Sequence, residues 1–229
     1  MYRNLKPLTQ NNIKQINTFW NYFCKNEQII FNALLLGINT EQTFCQLAKK
    51  LDKISRRIGF VIKRPRDFND KFLIIFTGNG YRKLFAKIIA LENQAPELKH
   101  FTAQAFVKPL EDTSMYKNGT DEPCLCKNYQ IKISELRIAL QDYNITTKQI
   151  KIDLYLPNYN EIKHFEDLKH NINWIVIQVI GEIAYRKHIR KIDLHQMLLK
   201  PEGLLSLIEL PDFIAYLYQI NSRKKTRLI

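Results

Sequence analysis

Apolar residues recur at helical spacing near the start of the chain, which predicts two amphipathic helices. The first covers residues 11–36 and is followed by Gly37, a residue typical of helix C-termini. The second covers residues 40–58, with Thr40 as its predicted N-cap. We expect its buried face to consist of Phe44, Leu47, Ala48, Leu51, Ile54 and Ile58. The opposite face, which we expect to be exposed, carries Lys49, Lys50, Lys53, Arg56 and Arg57.

After Gly59 the spacing of apolar residues changes to that of strands. Residues 60–63 and 72–76 predict two strands, and a Gly-Asn-Gly turn at 78–80 then leads into a central helix. Residues 101–107 alternate as a further strand. Strands and helices are therefore interleaved in this part of the chain.

The second half of the chain has longer strand patterns. Residues 108–127 predict a long loop, and the alternation that follows, with a phase slip near residues 134–135, predicts a bulged strand. Residues 150–156 predict its hairpin partner. A long helix is expected near 161–185 and a short strand near 189–194, followed by one or two C-terminal helices near 204–210 and 212–220.

This order of elements predicts an α+β fold. We expect a mainly antiparallel sheet with two N-terminal helices, a central helix, a long helix near 161–185 and C-terminal helices. The length suits one domain over 1–222, followed by a basic tail at 223–229.

Cysteine count and apolar runs indicate the compartment. Four cysteines in 229 residues do not form a disulfide framework, which favours a reducing environment. The first residues lack the apolar core of a signal peptide, and the most apolar run, 174–183, is half the length of a membrane span. We therefore expect a cytoplasmic protein without membrane contact.

The charge is strongly positive and unevenly distributed. The chain carries +13, of which residues 1–70 contribute +7 and residues 71–110 contribute +4. An excess of this kind indicates a polyanionic partner, either a nucleic acid or an acidic protein. Compositional drift and an ordinary solvated helix face are the alternatives. The candidate polyanion-binding residues form two groups in sequence, namely Lys49, Lys53, Arg56, Arg57, Lys63, Arg64 and Arg66, and then Arg186, Lys187 and Arg190.

The Gly-Asn-Gly turn lies between a predicted strand and a predicted helix. Backbone N–H groups at such a position can hold a phosphate, with Gly78, Gly80 and Arg82 as the candidate residues. The third glycine of a dinucleotide-binding motif is absent. A tight turn that requires positive φ would explain the glycines equally well.

Metal and catalytic signatures are weak. The pair Cys124 and Cys126 could bind zinc with a histidine, but structural zinc sites usually space their cysteines further apart and contain a second pair. We expect no metal and no cofactor. No nucleophile or metalloprotease motif occurs, which favours a binding or interaction module. The alternative is an enzyme of unknown reaction, with a site assembled from residues distant in sequence.

Three short segments carry a resemblance to other proteins. The segments at 19–23 (FWNYF), 93–98 (NQAPEL) and 180–182 (IGE) are similar to landmarks of a group of uncharacterised bacterial intracellular α+β proteins. The similarity runs from about residue 19 to residue 213. It implies one intracellular domain, and because the group has no assigned activity it implies no chemistry.

Overall fold

The computed structural model describes residues 7–65 and 70–226. The chain divides into two compact units, Met1–Val107 and Lys108–Ile229, which we call the N-terminal unit and the C-terminal unit. Each contains helices and sheet, and most strand pairs are antiparallel, so the predicted α+β class is confirmed. The predicted single domain over 1–222 stays a prediction.

The N-terminal unit is built on a three-stranded sheet of order β1-β2-β3. Strands β1 and β2 are antiparallel, whereas β3 is parallel to β2, because α3 carries the chain back to the other end of the sheet. The elements in chain order are α1 (Gln10–Leu36), α2 (Thr40–Asp52), β1 (Gly59–Lys63), β2 (Phe72–Thr77), α3 (Phe85–Asn93) and β3 (Phe101–Ala105).

The core of the N-terminal unit is aromatic. Phe19 of α1 lies edge-on to Phe76 of β2, with ring centroids 5.7 Å apart, and Phe23 lies edge-on to Phe101 at 5.1 Å. Edge-to-face pairs of this kind are favourable beyond the area they bury. The indole N–H of Trp20 donates to the carbonyl of Leu91 in α3 at 2.9 Å. These contacts hold α1 against both the sheet and α3.

The second helix is shorter than predicted. It ends at Asp52 instead of residue 58, and Asn39 takes the N-cap position predicted for Thr40. The Thr40 hydroxyl instead donates to the carbonyl of Ala33 in α1. Most of the predicted buried face is buried, but Phe44 is half-buried and Ala48 is exposed.

The C-terminal unit contains a four-stranded sheet of order β8-β7-β6-β9, in which only β7 and β8 are parallel. A short hairpin precedes it, in which β4 and β5 each contain two residues. The elements in chain order are α4 (Ser114–Lys117), β4 (Cys124–Leu125), β5 (Gln130–Ile131), β6 (Arg137–Asn144), β7 (Gln149–Leu156), α5 (Tyr159–Ile162), α6 (Leu168–Ile180), α7 (Glu182–His188), β8 (Ile189–Gln196), β9 (Leu205–Ser206) and α8 (Leu210–Thr226).

The prediction of one long helix near 161–185 is wrong. Three helices, α5, α6 and α7, occupy this region. Gly181 separates α6 from α7 with φ 81° and ψ 149°, a conformation that side-chain-bearing residues rarely adopt. Apolar residues on both sides of the break contact the same core, since Ile172 and Val179 of α6 belong to it and Ala184 and Tyr185 of α7 pack against it. Their spacing therefore resembles that of one continuous helix.

Three smaller predictions also need correction. The predicted loop at 108–127 contains α4 and β4. The phase slip at 134–135 is a 3-10 turn, Ile133–Glu135, and not a bulge. Of the one or two predicted C-terminal helices, the first segment forms a 3-10 turn, Leu207–Glu209, and the second is α8, which includes residues 223–226 of the predicted basic tail. Across the described part of the chain, no helix is both long enough and apolar enough to span a membrane.

Candidate functional site

Two tight turns meet at one edge of the N-terminal sheet. Gly59, the first residue of β1, pairs with Thr77, the last residue of β2. The turn before β1 and the turn after β2 are therefore neighbours in space, although about twenty positions separate them in sequence. They contain residues 55–58 and 78–81, and we call them the arginine turn and the glycine turn.

The arginine turn presents two guanidinium groups to solvent. Its backbone closes with the N–H of Ile58 donating to the carbonyl of Ser55 at 3.1 Å, which leaves Arg56 and Arg57 at the centre. Both arginines are exposed, whereas Ile54 and Ile58 on either side of them are buried. The Lys87 ammonium of α3 also donates to the Ile54 carbonyl at 2.8 Å. The turn is thus anchored at both ends, and the arginines project from a fixed base.

The glycine turn has a left-handed backbone. The N–H of Tyr81 donates to the Gly78 carbonyl at 2.9 Å, and Asn79 and Gly80 have φ of 49° and 75°. Positive φ at both central positions is the pattern of a type I′ turn, for which Asn-Gly is the preferred pair. The N–H of Asn79 donates to the buried Thr77 hydroxyl at 3.0 Å. This side-chain contact ties the turn to the end of β2.

The two turns enclose a pocket of about 410 Å³. Residues 56–59 line it from one side, and Gly78, Asn79 and Tyr81 line it from the other. The guanidinium carbon of Arg57 lies 4.9 Å from the centre of the Tyr81 ring, so a cation–π contact joins the two sides. The pocket therefore combines two cations, one exposed phenol ring and backbone that carries no side chains at the two glycines.

The structure provides only part of the geometry that phosphate binding by Gly78, Gly80 and Arg82 would require. Gly78 lines the pocket, but Arg82 is exposed on the following 3-10 turn and is not among the lining residues. The backbone N–H groups of Asn79 and Tyr81 are already used within the turn. A phosphate in this pocket would be held by Arg56 and Arg57 more than by a cradle of amides. The role of these three residues stays a prediction.

The first group of predicted polyanion-binding residues extends along α2 and β1. Lys49 and Lys53 are exposed at the C-terminal end of α2, next to the arginine turn, and Lys63 is exposed at the far end of β1, about 13 Å along the strand. Arg64 donates to the carbonyl of Leu34 at 2.7 Å, which caps the last turn of α1. Arg66 lies outside the described residues. Only the members nearest the pocket form a compact cationic surface.

The second group lies at the junction of α7 and β8 in the C-terminal unit. Arg186, Lys187 and Arg190 are exposed. Arg186 and Lys187 occupy the last turn of α7, where cations stabilise the negative end of the helix dipole. The Lys187 ammonium also lies 4.9 Å from the centre of the Tyr218 ring. This group therefore has stabilising roles in its own unit.

The C-terminal sheet carries the polar cluster that best fits catalysis. His195 Nε2 lies 3.0 Å from Asp153 Oδ1, and a hydrogen bond from Lys191 to Asp193 lowers the pKa of that carboxyl. A His–Asp pair can orient a general base, but no described Ser, Thr or Cys hydrogen-bonds to His195. Within residues 7–65 and 70–226, no three His, Cys, Asp or Glu side chains converge as metal ligands. Burial raises the pKa of both Cys124 and Cys126, which keeps their thiols protonated.

The sequence singled out Arg56, Arg57 and Gly78 but missed the other lining residues, namely Ile58, Gly59, Asn79 and Tyr81. An aromatic residue directly after a Gly-Asn-Gly turn is the available local signal for Tyr81. The pairing of Gly59 with Thr77, which brings the two turns together, has no local signal.

Comparisons of the chain with protein-family models, with curated proteins and with solved structures found no match. The resemblance to uncharacterised bacterial proteins therefore stays a hypothesis, and the functional argument rests on the geometry of the chain.

Proposed function

We propose that the protein is a cytoplasmic binding module that contacts nucleic acid through the N-terminal unit. Lys49, Lys53, Arg56 and Arg57 would contact phosphates. The observation that carries this proposal is the arginine turn, which fixes two exposed guanidinium groups on the wall of a pocket. The four cysteines are free thiols, which fits a reducing compartment.

The charge balance supports a polyanionic partner for this unit. The N-terminal unit contains 17 Lys and Arg against 7 Asp and Glu, a net charge of +10, whereas the C-terminal unit has +3. Two ion pairs occur among the described residues, Lys191–Asp193 and His195–Asp153, and both lie in the C-terminal unit. Among residues 7–65 and 70–107, no basic side chain is paired with a carboxylate. The positive field near the arginine turn is therefore not neutralised locally.

Binding to a nucleic acid of any sequence would follow from these contacts. Lys and Arg at phosphates release condensed counterions, which makes the affinity fall steeply with salt. Contacts to phosphates fix the position of a protein on the nucleic acid but carry no sequence information. We therefore expect little sequence preference.

The test measures binding of a labelled oligonucleotide across a salt series by fluorescence anisotropy. The variant Lys53→Ala/Arg56→Ala/Arg57→Ala removes three exposed cations, so the slope of log K against log salt should decrease in magnitude by up to about 2.7 on duplex DNA. The matched control, Arg186→Ala/Lys187→Ala/Arg190→Ala, removes the same charge from the C-terminal unit. It should change the slope by less than about one.

Three outcomes would overturn the proposal. Binding could be absent at low salt, or the two triple variants could lose equal affinity, which would leave only a general effect of net charge. Polyglutamate could also compete as well as nucleic acid at equal charge, which would indicate an acidic protein partner.

A further inference from the structure

We infer that the pocket between the arginine turn and the glycine turn accepts an unpaired base of a single-stranded nucleic acid, which stacks on the Arg57–Tyr81 pair. The inference rests on the proposed function and adds to it the class of nucleic acid that is bound. It goes beyond phosphate contacts, because it assigns a role to the aromatic side chain and to the empty volume between the turns.

The size of the pocket fits a base better than a phosphate. A volume of about 410 Å³ is that of a small-ligand site, for which roughly 300–1,000 Å³ is usual. A phosphate group alone would occupy a small part of this volume, whereas a base with part of its sugar would occupy more of it.

The walls suit a flat aromatic ligand. Tyr81 is 38% exposed, and the guanidinium group of Arg57 lies over its ring. Bases stack on tyrosine rings and on the planes of arginine guanidinium groups. Gly59 and Gly78 add backbone without side chains to the two walls, and Ile58 adds an apolar contribution. A flat ligand would therefore contact an aromatic ring, a guanidinium group and backbone in this pocket.

Polar groups at the pocket fit the other parts of a nucleotide. Asn79 is exposed, and its side-chain amide offers both donors and an acceptor to a base edge. Arg56 adds a second cation for the adjoining phosphate. One nucleotide thus meets a stacking surface, a polar edge and a positive charge within the same pocket.

Stacking in this pocket selects for single strands. In a duplex each base is stacked and paired, and extruding one costs a few kcal/mol. An unpaired base avoids this cost, and stacking on an aromatic side chain does not depend strongly on which base it is. Duplex DNA would contact the arginines and lysines but leave the pocket empty.

The experiment compares Tyr81→Ala and Tyr81→Phe with the wild-type protein on four probes of equal length: oligo-dT, oligo-U, an abasic phosphodiester strand and a duplex. Tyr81→Ala should weaken binding to the base-bearing single strands by about 5- to 150-fold, the range for one stacked base. It should leave the abasic strand and the duplex within about twofold. Tyr81→Phe should retain wild-type affinity, because the ring is kept. The two base-bearing probes distinguish DNA from RNA.

A spectroscopic readout separates stacking from a loss of structure. A single-stranded probe with one 2-aminopurine should be quenched on binding to wild-type protein and to Tyr81→Phe, but not on binding to Tyr81→Ala. Equal affinity of wild-type protein for the abasic and the base-bearing strands would overturn the inference while leaving the proposed function intact. Absence of binding to all four probes would overturn both.

Discussion

The two units of the chain differ in what fills their cores. Every buried Phe and Trp of the described residues lies in the N-terminal unit, whereas the buried core of the C-terminal unit consists of Ile, Leu and Val. Aromatic pairs restrict the orientation of their neighbours more than aliphatic contacts do. In the N-terminal unit this rigidity reaches the candidate site, because Phe76 of the aromatic core directly precedes Thr77, which binds the glycine turn.

The two units also differ in how their charges are used. In the C-terminal unit Lys191 pairs with the carboxylate of Asp193, whereas cation–π contacts occur in both units, as between Arg57 and Tyr81 and between Lys187 and Tyr218. In the N-terminal unit the exposed cations near the arginine turn lack carboxylate partners within the described residues. A rigid aromatic core below an unneutralised cationic edge is a suitable arrangement for binding a polyanion.

The strongest test of this difference is the substitution Phe76→Ala. Phe76 is fully buried and contacts both Phe19 and Trp20, with each pair of ring centroids 5.7 Å apart. Truncation of a buried Phe costs about 3–5 kcal/mol of unfolding free energy. In a Trp174→Phe background, Trp20 is the only tryptophan, so its emission reports on this core. We expect a lower denaturation midpoint and a red-shifted native emission.

Leu154→Ala is the matched substitution in the C-terminal unit. Leu154 is fully buried in β7, and its truncation should cost about 2–5 kcal/mol. In the same Trp174→Phe background, the native emission of Trp20 should not move. A red shift as large as that of Phe76→Ala would show that the two cores do not respond separately.

Much of the fold follows from local patterns. Helix α1 and strand β7 match their predictions closely, because long runs with one period leave little choice of conformation. The errors occur where apolar spacing continues through a break in the backbone. Ile54 and Ile58 fit the helical period of α2. The helix nevertheless ends at Asp52, and both side chains are buried in the core from the turn that follows it. Gly181 interrupts the region near 161–185 in the same way.

The candidate site was predictable only in parts. The cations of 49–57 and the glycine turn were both recognised in the sequence, but as separate features. They lie next to each other because of the register of β1 with β2, in which Gly59 faces Thr77. Strand register is set by tertiary packing across the sheet, so no window of sequence contains it. The use of Arg64 as a cap for Leu34, thirty residues away, was unpredictable for the same reason.

A smaller effect is expected when the glycines that line the pocket are replaced. A Cβ at Gly78 would lie 3.1 Å from Cδ1 of Ile88 and 3.2 Å from Cδ1 of Leu84, both of which are buried. Overpacking costs about 1–3 kcal/mol, and the reduced entropy of the unfolded chain offsets about 0.4–1 kcal/mol. We expect Gly78→Ala to lower the free energy of unfolding by about 1 kcal/mol, measured by urea denaturation.

Gly59→Ala is the control on the opposite wall of the same pocket. Its Cβ would meet Cγ2 of Thr77 at 3.5 Å, an ordinary van der Waals contact. This variant should be neutral or slightly stabilised, by up to about 1 kcal/mol. If Gly78→Ala is as stable as Gly59→Ala, close packing of the glycine turn on α3 does not explain why position 78 is a glycine.

The smallest expected effect is a pH dependence that arises in the C-terminal unit. His188 is 6% exposed, and burial lowers its pKa, with Lys187 and Lys148 acting in the same direction and the hydrogen bond to the Lys148 carbonyl opposing them. The unfolded chain therefore binds more protons at this residue once the pH falls below about 6.5. The free energy of unfolding should decrease as the pH is lowered from about 7 towards the folded pKa, with a slope of at most about 1.4 kcal/mol per pH unit from this group.

His188→Gln should make this pH dependence shallower, because the amide does not titrate and can still donate a hydrogen bond to the Lys148 carbonyl. Its effect is read from urea denaturation at a series of pH values between about 5 and 8. His170→Gln is the matched control, since His170 is exposed on α6 and its replacement should leave the slope unchanged. The other groups near His188 are Tyr218, whose hydroxyl lies 3.2 Å from Nδ1, and the two lysines, none of which has an ordinary pKa in this range. A slope that is identical in wild-type protein and in His188→Gln would mean that this histidine takes up its proton equally well in the folded and unfolded chains, contrary to its burial.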